Sequence, residues 1–249
     1  MMGLDATRVR AVVRKELLDY RRKRSIVVSM VLLPLLFLVE PVVSIFLVTP
    51  LDSGSALDNY VVLPLLYMLL IAVVMPSTLA AFTVVGEREQ GTLEPLLTTP
   101  LREQEFILGK AAAVMIPSVA LSYLVYGLFL GAVALFAHPA VASAVFHDGP
   151  TLLALFLFAP LVAGWSVVVG MAVSVRASEV RVAQQLGMLA SFPIIGVVLL
   201  LAVGVIHPTF PVAIEFAAGL LVIDVLALRI VSRMFDRERL VIGAKATRA

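Results

Sequence analysis

Residues 86–110 read GEREQGTLEPLLTTPLREQEFILGK and carry eight charged side chains, in a chain that is 61% hydrophobic and only 14% charged. Soluble domains average about 25% charged residues. A chain with a mean hydropathy of +1.06 exposes too much hydrocarbon to remain monomeric in water. The stretch is the longest polar interruption between the termini, and apolar runs flank it on both sides. Read as a loop between two membrane spans, it sets the fold class: an all-α polytopic membrane protein.

Working outward from the loop, six segments have the length and apolarity of spans: Ile26–Val48, Tyr60–Val85, Ala111–Ala137, Thr151–Val175, Leu186–Ile206 and Pro211–Ile230. Each reaches the roughly 20 residues that cross about 30 Å of hydrocarbon at about 1.5 Å per residue. Turn residues punctuate the connections at Pro50, Asp52 and Gly54, at Asp148-Gly149-Pro150, and at His207-Pro208. The tails 1–25 and 231–249 fall outside the spans. The first apolar run starts too late and runs too long for a cleavable signal peptide.

Orientation follows from the 19 Lys and Arg residues. Eight precede the first span, Arg88, Arg102 and Lys110 fall in the second loop, Arg176 and Arg181 in the fourth, and six at the C-terminal end. The other loops hold none. By the positive-inside rule both termini and loops two and four are expected in the cytoplasm.

The tail Asp5–Arg24 is expected to form a helix. Val9, Val12, Val13, Leu17 and Tyr20 share a stripe of about 140°, basic residues fill most of the remainder, and Glu16 interrupts the stripe. One reading lays this helix on anionic headgroups, with Arg21, Arg22, Lys23 and Arg24 as its stop. The other has it touch a cytoplasmic partner, with Glu16 paired to a cation there.

Three carboxylates fall within spans: Glu40, Glu215 and Asp224. Ionisable groups in hydrocarbon are costly and mark pathways or interfaces. Glu215 and Asp224, nine residues apart, face opposite sides of an ideal helix. Pro41 frees the carbonyl of Phe37, an acceptor for a protonated Glu40. Gly127 with Gly131, and Gly164 with Gly170, allow close helix approach inside the bundle or between subunits. Cysteine is absent, and the histidines are scattered over separate loops, so no metal site is expected. Gly109-Lys110 lacks the earlier glycine of a P-loop and is followed by Ala111, so this chain is not expected to bind ATP that way.

Within the loop, Gly91 ends the charged extension of the second span. Thr92 caps a short helix whose Leu93, Leu96 and Leu97 share a face, with Glu94 and Pro95 in its first turn. Thr99 and Pro100 then start a second helix through Arg102, Glu103 and Glu105 to Gly109. The pair forms either a leucine knob for a partner's groove or a solvated surface hairpin.

The run EREQGTLEPLLTTPL followed by LGK resembles the signature of permease subunits of type-2 ABC exporters, in the sodium-exporter and antibiotic-exporter branches. The matching positions are Glu87, Gly91, Thr92, Leu93, Glu94, Leu96, Leu97, Pro100, Gly109 and Lys110. Lys15-Glu16-Leu17, the basic cluster with Arg21 and Arg22, and Leu33-Pro34 resemble the family's elbow helix and first span. The resemblance implies a coupling helix at Thr92–Thr98 docking on a separate P-loop ATPase, with Glu87, Arg88, Glu89, Gly91, Thr92, Leu93, Glu94, Leu96, Leu97 and Pro100 as the coupling residues. It further implies two such ATPases carrying ATP and Mg, no cofactor on this chain and no chemistry catalysed by it. A second permease copy or a paralogue would complete the complex, a homodimer being expected, among membrane lipids and without nucleic acid. The location implied is a prokaryotic plasma (inner) membrane, and the direction of movement outward. One departure stands out: His207–Phe210 leaves little room for the outer element of the polysaccharide and lipid branches. Two other functions fit the residues. One is an ATPase-coupled mechanotransmitting or assembly complex without a translocated substrate; the other is a proton-driven secondary carrier using the intramembrane carboxylates.

Overall fold

The computed structural model describes residues 5–47, 55–91, 102–202 and 209–234. Helices account for nearly all of these residues, and no strand occurs among them. Six stretches are long and apolar enough to cross a membrane: Arg24–Leu47, Tyr60–Glu89, Glu103–Phe136, Gly149–Arg176, Val180–Val197 and Phe210–Ser232. They are called spans 1 to 6 below. The all-α polytopic architecture expected from the sequence is what the chain adopts.

A tail helix, α1 (Ala6–Arg22), precedes span 1, which is the single helix α2 (Arg24–Leu47). Asp5 caps α1 by accepting the Thr7 amide at 2.9 Å. Span 2 is built from α3 (Ser55–Tyr67), α4 (Leu69–Ala81) and α5 (Val85–Glu89). Span 3 is α6 (Glu103–Phe136), and a short helix, α7 (Pro139–His147), links it to span 4, α8 (Gly149–Arg176). Span 5 comprises α9 (Val180–Ala190) and α10 (Phe192–Ala202), and span 6 lies in α11 (Phe210–Met234).

Span 2 is the enclosed centre, packed by spans 1, 3, 4 and 5. Spans 1 to 4 are apolar around nearly their whole circumference, so hydrophobicity does not choose which of them is central; small residues do. Ser77, Ala80 and Ala81 of α4 meet span 4 closely: a methyl group on Gly170 would sit 2.6 Å from the Ala80 Cβ. Spans 4 and 2 therefore form a tight pair onto which the others are added. Span 6 packs chiefly on span 4 and leaves most of its surface exposed.

The breaks in spans 2 and 5 free backbone groups that hydrocarbon cannot satisfy. Each break is closed by a side chain from a neighbouring span. At Met68 the Tyr126 hydroxyl of span 3 donates at 3.0 Å to the carbonyl, which also accepts the Ile71 amide at 3.1 Å. Between α4 and α5, Ser174 of span 4 accepts the Val84 and Val85 amides, each at 3.1 Å, and donates to the Ala81 carbonyl at 2.9 Å. At Ser191 the Trp165 indole of span 4 donates to the Ala190 carbonyl at 3.4 Å.

Two features depart from the sequence expectation. α6 runs unbroken from Glu103 through Gly109 to Phe136, so the second short helix expected in the loop is instead the beginning of span 3. At about 1.5 Å per residue its 34 residues far exceed a bilayer core of about 30 Å. The early turns of α6 are therefore available to pack against α1. The second departure is α7, placed where a plain loop was expected; His138 caps it and Pro139 starts it, and its Val141, Ala144 and Val145 are buried.

Candidate functional site

The polar groups gather at one end of the bundle, where α1 lies beside the start of α6. The glycine of the LGK run explains the closeness. A Cβ on Gly109 would lie 2.7 Å from both Cβ and Cγ1 of Val12, so only glycine permits this approach. The stripe of α1 that carries Val12, Glu16 and Tyr20 is buried against protein. The stripe thus faces neither headgroups nor a separate partner here: its neighbour is the chain's own span 3.

Glu16, which interrupts the apolar pattern, sits where that contact needs a charge. Its Oε1 accepts from Lys15 Nζ at 2.9 Å and from Lys110 Nζ at 3.1 Å. Glu87 Oε1 lies 2.6 Å from Lys15 Nζ and 2.9 Å from Lys110 Nζ. The four groups close a square of alternating charge, neutral in sum, that joins α1, span 2 and span 3. Lys110 is fully buried, and Glu16 and Glu87 are each 5% exposed. Burying three charges is costly unless every one is paired, and the square pairs each of its four members twice. Lys15 is the half-exposed corner, with Asp19 at 3.4 Å on its outer side.

The square determines how this end responds to pH. Burial works against the charged Glu16 carboxylate, but Lys110 and Lys15 outweigh it and hold the group below its ordinary value of 4.5. Burial likewise opposes charge on Lys15, yet the bond to Glu87 and the charge of Glu16 hold it above its ordinary 10.5. A lowered carboxylate stabilises the fold above its ordinary value and loses that contribution as pH falls through the lowered one. A raised lysine does the reverse at the alkaline end. Docking of α1 is therefore expected to be constant from about pH 5 to 10 and to loosen under acid. Spin labels at Arg10 and Gln104, both exposed, should report a separation that is flat across the plateau and widens below it. A widening centred near neutrality would contradict the square.

A second carboxylate fixes the same contact further out. Fully buried Glu105 accepts the Asp5 amide at 3.1 Å and the Arg102 amide at 3.0 Å. It thereby ties the start of α1 to the start of α6, with Arg8 at 3.6 Å.

Three consecutive residues at the end of span 2 reach three different elements. Glu87 enters the square. Arg88 donates to the Val175 and Ala177 carbonyls at 3.1 and 3.2 Å, capping the end of α8, where orphan carbonyls and the helix dipole favour a cation. Glu89 accepts the Val180 amide at 3.0 Å, at the start of α9, where an anion is favoured. α5 then ends at Gly91, whose φ of +67° is the left-handed conformation that glycine adopts without strain. Thr92, Leu93, Glu94, Leu96, Leu97 and Pro100 lie outside the described residues. The root of the loop is thus fastened to span 3, span 4, span 5 and the tail helix by its own charges.

Of the other expected residues, Leu17 packs partly buried in the same contact, while Arg21 and Arg22 are exposed. The three intramembrane carboxylates do not converge. Glu40 accepts from the Ser44 hydroxyl one turn on, at 2.8 Å, and the expected bond to the Phe37 carbonyl is not formed. Asp224 lies against Gly164, where a methyl group would come within 2.8 Å of its Oδ2. Glu215 instead lines a cavity between spans 4, 5 and 6. The glycine pairs also divide: Gly164 and Gly170 serve packing within the chain, whereas Gly127 and Gly131 are exposed with nothing within 4 Å of a Cβ.

Glu105, Ser174, Tyr126 and Trp165 were not anticipated as structural ties. Glu105 had a local signal, its position in the first turn of a helix. The other three act across spans, and no sequence pattern states which spans are neighbours.

A family model described as ABC-2 family transporter protein matches residues 10–236. No curated protein matches the chain.

Proposed function

The chain belongs to the ABC-2 family of transporter proteins, and from that premise we propose that it is the permease subunit of an exporter driven by a separate ATPase. The family match across residues 10–236 carries this reading. In it, Thr92–Thr98 forms the coupling helix that docks in a groove of a P-loop ATPase, with Leu93, Leu96 and Leu97 as its apolar face. Two ATPases bearing ATP and Mg serve two permeases, in a homodimer of this chain. The distribution of Lys and Arg supports placing the termini, the loop and the charged square on the cytoplasmic side of a prokaryotic plasma membrane.

The anchored root of the loop supports a division of labour. Thr92 to Pro100 contact the ATPase, while Glu87, Arg88 and Glu89 are positioning residues that pass its displacement to the bundle. Glu87 carries it to α1 and span 3, Arg88 to span 4, and Glu89 to span 5. A push on the coupling helix then moves several elements together instead of bending a free loop. The bare Gly127/Gly131 face of span 3 supports close approach of a second copy.

The test is recovery of the complex from native membranes. Tagged wild-type protein is expected to bring down a P-loop ATPase with measurable ATP hydrolysis, and Leu96→Asp to reduce recovery of that ATPase at least tenfold without loss of the permease. Absence of any P-loop ATPase, or an undiminished yield with Leu96→Asp, would sink the reading.

A further inference from the structure

The cavity that Glu215 lines lies where spans 5 and 6 both pack on span 4 while barely touching each other. It encloses about 360 Å³, within the range of about 300–1,000 Å³ usual for small-molecule sites. Phe158 and Val162 of span 4, Ile194 and Val197 of span 5, and Phe216 and Ile223 of span 6 form its apolar wall. Glu215 is the one charged residue of that lining.

A carboxylate in hydrocarbon must take up a proton or meet a cation. Among the described residues of spans 4, 5 and 6 no lysine or arginine lies nearby: none occurs between Lys110 and Arg176, nor between Arg181 and Arg229. Along their helices Arg176 lies about 21 Å from Val162 and Arg229 about 21 Å from Glu215. The lining itself supplies Glu215 with no counter-charge. The lining offers no second oxygen-bearing side chain, which disfavours a metal ion, since hard cations take about six to eight oxygen ligands. It does offer two aromatic rings, Phe158 and Phe216, whose faces attract an organic cation. The gap between spans 5 and 6 gives an amphiphile a lateral route in from the bilayer.

We propose that this cavity binds a lipophilic organic monocation, with Glu215 as its counter-charge and the aromatic and aliphatic wall holding its apolar body. As the substrate class of transport, this rests on the exporter reading; as a binding site, it does not. Asp224 and Glu40 lie elsewhere and take no part.

Purified full-length chain in nanodiscs, without any ATPase, is titrated with tetraphenylphosphonium by equilibrium dialysis. Saturable binding is expected. Glu215→Gln should weaken it at least tenfold, Ile223→Trp should abolish it by filling the cavity, and Glu40→Gln should leave it unchanged. Neutral triphenylphosphine oxide should bind at least tenfold more weakly than the cation. Equal binding of the neutral compound, or no effect of Glu215→Gln in a variant that keeps the wild-type thermal midpoint, would identify an ordinary lipid-filled groove and overturn the proposal. Cross-linking of Leu220→Cys between two copies that the probe does not inhibit would assign the cavity to a subunit interface, with the same consequence. Because no ATPase is present, a negative result here leaves the exporter reading standing, and a missing ATPase leaves this one standing.

Discussion

Replacing Lys110 with methionine is expected to destabilise the chain by about 3–5 kcal/mol, the usual cost of removing one partner from a buried ion pair. The side chain is fully buried and contacts Glu16 at 3.1 Å and Glu87 at 2.9 Å, so its loss leaves two enclosed carboxylates sharing half-exposed Lys15. An exposed ion pair would contribute only about 0–1 kcal/mol, and the difference between these ranges makes the test decisive. Equilibrium unfolding in mixed micelles measures the loss. The double variant Lys110→Met with Glu16→Gln should recover at least about 1 kcal/mol, because neighbouring charges couple by about 0.5–3 kcal/mol and Lys15 with Glu87 then balance. A single-variant loss below about 1 kcal/mol would show that water reaches the square. In the proposed mechanism the same substitution disconnects α1 and span 3 from the coupling loop, so ATP hydrolysis should persist while movement of cargo falls.

Ser174→Val is expected to cost about 2–4 kcal/mol and to loosen the junction of α4 and α5. The substitution removes a hydroxyl that serves the Val84 and Val85 amides and the Ala81 carbonyl, and the γ-methyl it adds is also present in Ser174→Thr, the shape control. Interhelical bonds in membranes average only about 0.6 kcal/mol each. A buried group left wholly unpaired costs about 1–3 kcal/mol, and here the freed donors stand at a helix start and belong to fully buried residues. Hydrogen exchange across residues 82–89 should rise by at least tenfold, and Ser174→Thr, which keeps the hydroxyl, should stay near wild type. Unchanged exchange in Ser174→Val would mean that the break is satisfied within span 2 itself.

Both variants probe ties that lie outside the expected docking face, and the sequence announced them unequally. Lys15, Glu16, Glu87, Gly109 and Lys110 were each picked out by pattern, as separate elements of a tail helix and a loop motif. Glu16 read as a flaw in an amphipathic stripe because a stripe is judged against a uniformly apolar neighbour. Its neighbour carries Lys110, so the flaw is the point of attachment. Gly109 and Lys110 read as the tail end of the loop, whereas they belong to a continuous helix against which α1 packs.

The sequence alone determined the solvent in which this protein folds, the number of its spans and the separation of its charges, because hydrocarbon imposes length and polarity on each segment independently of the others. It also marked the loop that names the family. What only the tertiary structure decided is which span is central, which side chains mend the broken helices, and that five scattered motif residues meet at one contact. Those outcomes depend on distances between helices. In a bilayer such distances are set by small residues and paired polar groups meeting across the bundle, since lipid surrounds every apolar face equally well.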